Sequence, residues 1–236
     1  MAQLFAGTSG FAYPNWKPRF YPAKLPADKF LEHYASRLNS VEINYTFRRL
    51  PAAATLDKWV AATPPRFRFA LKAHQRITHF QQLRNAAEFT GVFLNAIEPL
   101  RSARRLGPVL FQLPPTLHCD LTLLRDYLPL LPSDIRYAFE FRHASWLAEP
   151  IYRLLAEHNV SLCLAESEKL EVPKVFTADF VYFRLRKPDY SADDLRAIRA
   201  QIDQLVEGGK DVFAFFKHEE EPEGALYAER VLGGVA

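Results

Sequence analysis

Apolar and polar residues alternate with a period of two in a series of short runs along the chain. Val41-Glu42-Ile43-Asn44, Phe67-Arg68-Phe69-Ala70-Leu71-Lys72-Ala73-His74, Phe139-Glu140-Phe141-Arg142 and Val181-Tyr182-Phe183-Arg184-Leu185-Arg186 show it most clearly. Successive strand side chains point to opposite faces, so each run predicts a strand with one apolar face and one face of charged or amide groups. Eight strands are predicted in all, beginning near Leu4, Val41, Phe67, Val109, Tyr137, Ser161, Val181 and Val212. Apolar residues at helical spacing over residues 30–38, 121–131, 147–158 and 195–206 predict helices between them.

Strands alternating with helices predict a mainly parallel sheet whose outer face is covered by the helices. A surface strand shows the same apolar–polar alternation. When helices cover the outside, however, the polar faces have to point into a closed sheet, and eight strands is the number a (β/α)8 barrel needs. An open doubly wound sheet accepts the same elements but carries a glycine-rich phosphate turn after its first strand; Gly7-Thr8-Ser9-Gly10 lacks that fingerprint. The expected fold is therefore α/β, a single TIM-type barrel over residues 1–236. Its sixth helix is expected to be irregular or missing, because only residues 168–175, broken by Pro173, are left for it.

Composition adds limits. A length of 236 residues suits one barrel, and 17 prolines punctuate loops without marking a linker. At 49% hydrophobic residues the chain is globular, no run reaches the roughly 18 apolar residues of a membrane span, and Met1-Ala2-Gln3-Leu4 does not open a leader pattern. The expectation is a cytoplasmic protein without a membrane partner. Cys119 and Cys163 have no metal-ligand spacing and read as reduced thiols, Cys163 packed in the sixth strand. A net charge of +3 does not by itself call for nucleic acid.

Several motifs together resemble the domain-of-unknown-function 72 family, also called YecE-like, over nearly the whole chain. They are Gly7-Thr8-Ser9-Gly10-Phe11 with Trp16 and Phe20-Tyr21-Pro22; Val41-Glu42-Ile43-Asn44 with Thr46-Phe47 and Leu50-Pro51; Phe69 with Lys72 and Thr78-His79; Leu110-Phe111-Gln112-Leu113-Pro114-Pro115; Phe139-Glu140-Phe141-Arg142-His143 with Trp146; and Thr177-Ala178 ahead of Tyr182 and Arg184. The resemblance implies a TIM-type barrel and supplies no established reaction. Phe11, Tyr45, Arg48 and the Phe215-Phe216-Lys217-His218 strand end, followed by Glu219-Glu220-Glu221, depart from the family pattern.

The polar strand faces nominate the chemistry. Lys72, Arg142, Arg184, Arg186 and Lys217 outnumber Glu42, Glu140 and Glu166, so the predicted interior favours a small anionic ligand bearing phosphate or carboxylate. Glu42 and Glu140 are the candidate acid–base pair and Lys72 a third catalytic candidate, for a hydrolase, lyase or isomerase. Against that, Glu42 would simply neutralise Lys72, and Glu140 would pair with Arg184 or Arg142, if the charges are structural. Asn44, His74, Gln112, Arg142, Trp146, Tyr182, Arg184, Arg186 and Lys217 are the candidate ligand-binding residues. His79 is a candidate lid residue; Trp16, Tyr21, Tyr45 and Tyr190 are candidate stacking groups on the rim.

No cofactor is expected. His74, Glu42, Glu140 and Glu166 are of metal-ligand type, but the neighbouring lysine and arginines argue against a metal. Two other classes stay open: a nucleic-acid binding or processing protein using Arg48-Arg49, Arg101 and Arg104-Arg105 on phosphates, and a non-catalytic binding or scaffold protein. Oligomeric state is left open.

Overall fold

The computed structural model describes residues 1–217 and 221–234. Its strands are β1 (Leu4–Thr8), β2 (Ser40–Ile43), β3 (Arg68–Lys72), β4 (Leu106–Gln112), β5 (Tyr137–Glu140), β6 (Ser161–Ala165), β7 (Phe180–Leu185) and β8 (Asp211–Phe216). They pair in parallel in the order β1-β8-β7-β6-β5-β4-β3-β2, and a Ser9–Glu42 bridge joins the two ends of that order, making a nearly closed barrel. Outside it run α1 (Phe30–Arg37), α2 (Ala53–Ala61), α3 (Ala87–Ala96), α4 (Glu98–Ser102), α5 (Leu121–Tyr127), α6 (Glu149–Glu157), α7 (Ala192–Glu207) and α8 (Glu223–Gly233). Residues 166–179 cross from β6 to β7 without a helix, as expected of a segment broken by Pro173. No helix among the described residues is long and apolar enough to cross a membrane.

Two apolar clusters sort the strand residues by parity. Val41, Ile43, Phe69, Leu71, Val109, Phe111, Phe139, Leu162, Leu164, Val181, Phe183, Val212 and Ala214 belong to the large core under the helices. Ala70, Leu110, Ala138, Cys163, Tyr182, Phe213 and Phe215, at the intervening positions, form the smaller cluster that fills the lumen. Alanines on β3 and β5 leave room there for the Tyr182 and Phe215 rings, 5.3 Å apart, so the barrel is packed rather than hollow. The same parity, followed to the strand ends, carries Glu42, Lys72, Gln112, Glu140 and Arg184 into the lumen above this apolar plug.

The seam between β1 and β2 is closed largely by side chains. Tyr34 on α1 accepts the Thr8 N–H at 2.8 Å and donates to the Ser40 carbonyl at 3.0 Å. Asn39 accepts the Ala6 N–H and donates to the Leu4 carbonyl, each at 2.8 Å, in place of a backbone ladder. The approach is so close that a Cβ on Gly7 would lie 1.8 Å from the Ser40 carbonyl oxygen, so only glycine fits. The other departure from expectation is β4, which starts at Leu106, three residues before Val109. Pro108 cannot donate a ladder bond, and the β3–β4 register shifts between Phe69 and Leu71, which lets a strand continue through a residue that reads as a strand boundary.

Candidate functional site

One hydrogen-bonded arc of side chains spans the C-terminal mouth. Lys72 Nζ on β3 donates to Gln112 Oε1 at 2.8 Å, and Gln112 Nε2 on β4 donates to Glu140 Oε1 at 2.9 Å. Arg184 on β7 then bridges two carboxylates, Nη1 to Glu140 Oε2 at 2.5 Å and Nη2 to Glu42 Oε1 at 2.7 Å. Glu42 also accepts from Ser9 Oγ at 2.7 Å and from the Tyr182 hydroxyl at 2.8 Å. Arg186 Nη2 reaches Glu140 at 3.2 Å from the solvent side. The Glu140–Arg184 pair is one of the two structural pairings the sequence offered for Glu140; the Glu42–Arg184 pair is not, because alternation does not say which strands meet across the barrel.

Burial makes the arc rigid in charge. Glu42, Glu140 and Arg184 are 0%, 1% and 3% exposed, so each charge needs its partner. Burial pushes the Glu140 carboxyl upward, but the Arg184 and Arg186 guanidiniums with the Gln112 amide outweigh it and hold the group at about 2. Glu42 follows the same balance, burial against Arg184, Ser9 and Tyr182, and ends below its ordinary value. Both carboxylates are ionised and committed to acceptor roles. Glu42 contacts Arg184 rather than Lys72, and Glu140 contacts Arg184 and Arg186 rather than Arg142.

Lys72 is different. Its ammonium donates to a neutral amide and lies 4.0 Å from the centre of the Phe47 ring. Burial, then repulsion from Arg184, lowers its pKa from 10.5 to about 8, against the opposing pull of Glu42 and Glu140. Thr46 Oγ1 donates to the Lys72 carbonyl at 2.7 Å and fixes the strand end that carries it. His79, in the one-turn helix Arg76–Phe80, meets Phe47 edge-on at 4.9 Å. Burial, Lys72 and Arg142 all disfavour its proton.

The remaining candidates divide between rim and core. Arg142 is exposed just beyond β5, Lys217 is exposed just beyond β8, and Asn44 is half-buried above Glu42. Arg186 has a side chain 20% exposed, and its buried Nε has no hydrogen-bond partner among the described residues. His74 leaves the arc: its Nδ1 accepts the Arg76 N–H and its ring packs 5.1 Å from Phe89. Trp146 is fully buried, stacked 4.8 Å from Phe141, with its indole N–H donating to the Leu117 carbonyl at 2.8 Å, so it buttresses the rim from beneath. Trp16 and Tyr21 are likewise core, while Tyr45 is 49% exposed.

Glu166 accepts from the Arg186 and Lys187 N–H groups and from Tyr190, which orders the loop after β7. Among the described residues no three His, Cys, Asp or Glu side chains gather as a metal site. His218 and Glu219-Glu220 lie outside the described residues. Ser9 and Phe47 went unselected by sequence reasoning although both stand in family-resembling motifs; Ser9 continues the inward parity of Phe5 and Gly7, which was the available signal.

Comparison with known proteins agrees with this architecture. Residues 5–235 match the model of a family described as "Protein of unknown function DUF72". The chain is 29% identical to the UPF0759 protein YunF of Bacillus subtilis, over 84% of this chain and 83% of that one. It is 31% identical to the UPF0759 protein YecE of Escherichia coli K12 over 62% of this chain and 51% of that one. A DUF72 family protein from Thermotoga maritima superposes with a TM-score of 0.84 at 26% identity, covering 97% of each chain. One from Enterococcus faecalis gives 0.80 at 21% identity, covering 99% of this chain and 96% of that one, and shows the fold alone.

Proposed function

Because the chain belongs to the DUF72 family, whose description names no reaction, its chemistry has to be read from its own barrel mouth, and we propose an enzyme acting on a small phosphate- or carboxylate-bearing substrate with Lys72 as the proton-transferring or nucleophilic group. The observation that carries this reading is the contrast inside one arc: the carboxylates are locked by arginine, whereas the Lys72 amine is held by a neutral amide with its pKa lowered to about 8. An amine that titrates near the working pH is suited to proton transfer or to addition to a substrate carbonyl. The acid–base work expected of Glu42 and Glu140 passes to Lys72 in this reading, since a carboxylate held at about 2 is a weak base. Arg186 and Arg142 supply the anion clamp at the rim, Arg186 with a buried donor to spare.

The nucleic-acid alternative is weaker. Arg48-Arg49 follow β2 at the mouth, while Arg101 and Arg104-Arg105 precede β4 at the other end of the barrel, so the two groups do not form one phosphate-contacting track. The test of Lys72 needs no substrate: its amine should acylate faster at pH 8 than the other lysines, read by peptide mass spectrometry, and an anionic ligand found by thermal shift should slow it. Acylation at the rate of surface lysines would remove Lys72 from the mechanism.

A further inference from the structure

The opposite end of the barrel carries a feature that the mouth chemistry does not use. A cavity of about 410 Å3 opens between the N-terminal ends of the strands and the turn that leads into β4, within the size range of small-molecule sites. The stacked rings of Phe5 and Phe213, 4.7 Å apart, contribute to its lining at the end of the apolar plug. Its walls hold Arg68, Arg101, Arg104 and Arg136 against two acids, Asp134 and Asp211. Both acids are taken: Arg101 meets Asp134 at 2.5 Å and Arg136 meets Asp211 at 2.6 Å.

Arg68 and Arg104 have no carboxylate partner among the described residues. Arg68 Nη1 donates to the Pro65 and Phe67 carbonyls, each at 3.1 Å, and the guanidinium lies 5.8 Å from the centre of the Phe5 ring. Burial and the like charges of Arg105 and Arg136, against the pull of Asp211, make its guanidinium a poorly compensated cation. Arg104 sits in the left-handed region at φ 56°, uncommon for a residue with a side chain, in the turn that puts it on the same wall as Arg101. Arginines on a convex face would each point into solvent; these converge on one concavity.

We propose that this basal cavity binds a small oligoanion of the phosphate class, gripped by Arg68 and Arg104 while the aspartates hold Arg101 and Arg136 in place. Planar guanidinium forks match phosphate oxygens bidentately, and two guanidiniums without a carboxylate partner among the described residues, on one cavity, are what such a ligand needs. The site is independent of Lys72.

Isothermal titration of the full chain at fixed ionic strength tests it, with pyrophosphate as the main probe and orthophosphate and a nucleoside triphosphate as further arms. Saturable one-to-one binding by any of these, weakened about tenfold or more in both Arg104→Ser and Arg68→Gln, is the expected result, and the tightest of them identifies the source. Arg104 is exposed, so its variant leaves the barrel folded. Absence of binding heat, undiminished affinity in the two variants, or preference for a short oligonucleotide over every small phosphate would overturn the proposal.

Discussion

The two ends of this barrel both gather arginines, yet they treat them differently. At the mouth, Arg184 is 3% exposed and spends both terminal nitrogens on buried carboxylates. At the base, Arg101 is exposed, its partner Asp134 is exposed as well, and Arg104 has no acid partner among the described residues. A low-dielectric interior makes an unmatched charge cost several kcal/mol, so the mouth had to be matched group by group, whereas solvent screening leaves the base free to carry a cationic surplus. Lys72 is the exception at the mouth, half-buried against a neutral amide, and that is why it draws the functional reading.

The strongest way to break this comparison is Arg184→Met. It strands two buried carboxylates and should cost about 3–5 kcal/mol in urea unfolding, as for other broken buried pairs. A midpoint within error of the parent would mean that the arc is not what holds the mouth together.

Acid gives the next largest effect. Glu140 titrates near 4.5 when unfolded and at about 2 when folded. The unfolded chain therefore binds the proton first as pH falls, and the stability this group provides is fully present above pH 4.5 and lost on the way down to about 2. The loss should amount to about 3 kcal/mol, and Glu140→Gln, already missing the charge, should show a flatter stability profile across that window.

Lys72→Met is expected to go the other way. Its folded pKa is about 8 against 10.5 unfolded, so below pH 8 the folded state carries the cost of a charged amine in a partly dry site. Between pH 8 and 10.5 the unfolded chain binds the proton and the folded one does not, so stability of the parent rises with pH relative to the variant. At pH 7 the variant should be more stable by about 1–2 kcal/mol, allowing for the exposed part of the side chain. A variant that is less stable at pH 7 would make Lys72 a structural cation.

The smallest effect belongs to the base. Arg101→Ala removes an exposed, solvent-screened pair with Asp134 and should leave the urea-unfolding midpoint within error of the parent. A larger loss would show that both ends are built alike.

Period-two alternation on β2, β3, β5 and β7, with helical spacing between strands, was enough to specify eight strands, their inward parity and the gap after β6. These are local properties of backbone geometry and solvent partition, written residue by residue. The chain alone also nominated Glu42, Lys72, Gln112, Glu140 and Arg184, because a polar residue at an inward position is visible without a fold. It did not show that Trp146 turns into the core, that His74 turns towards α3, or that Tyr34 and Asn39 close the β1–β2 seam, since each depends on where a strand end bends.

Pairing was decided only by closure of the barrel. Glu42 and Arg184 are 142 positions apart, and which cation meets which carboxylate depends on strand order and register. Burial in the closed mouth, and after it the nearness of Arg184, set the Lys72 pKa, and the return of every strand to the same basal ring brought Arg68, Arg104 and Arg136 around one cavity. The sequence determined which residues face inward, because that follows from local alternation; tertiary structure decided which of them carry a free charge, because charge compensation acts through space and not along the chain.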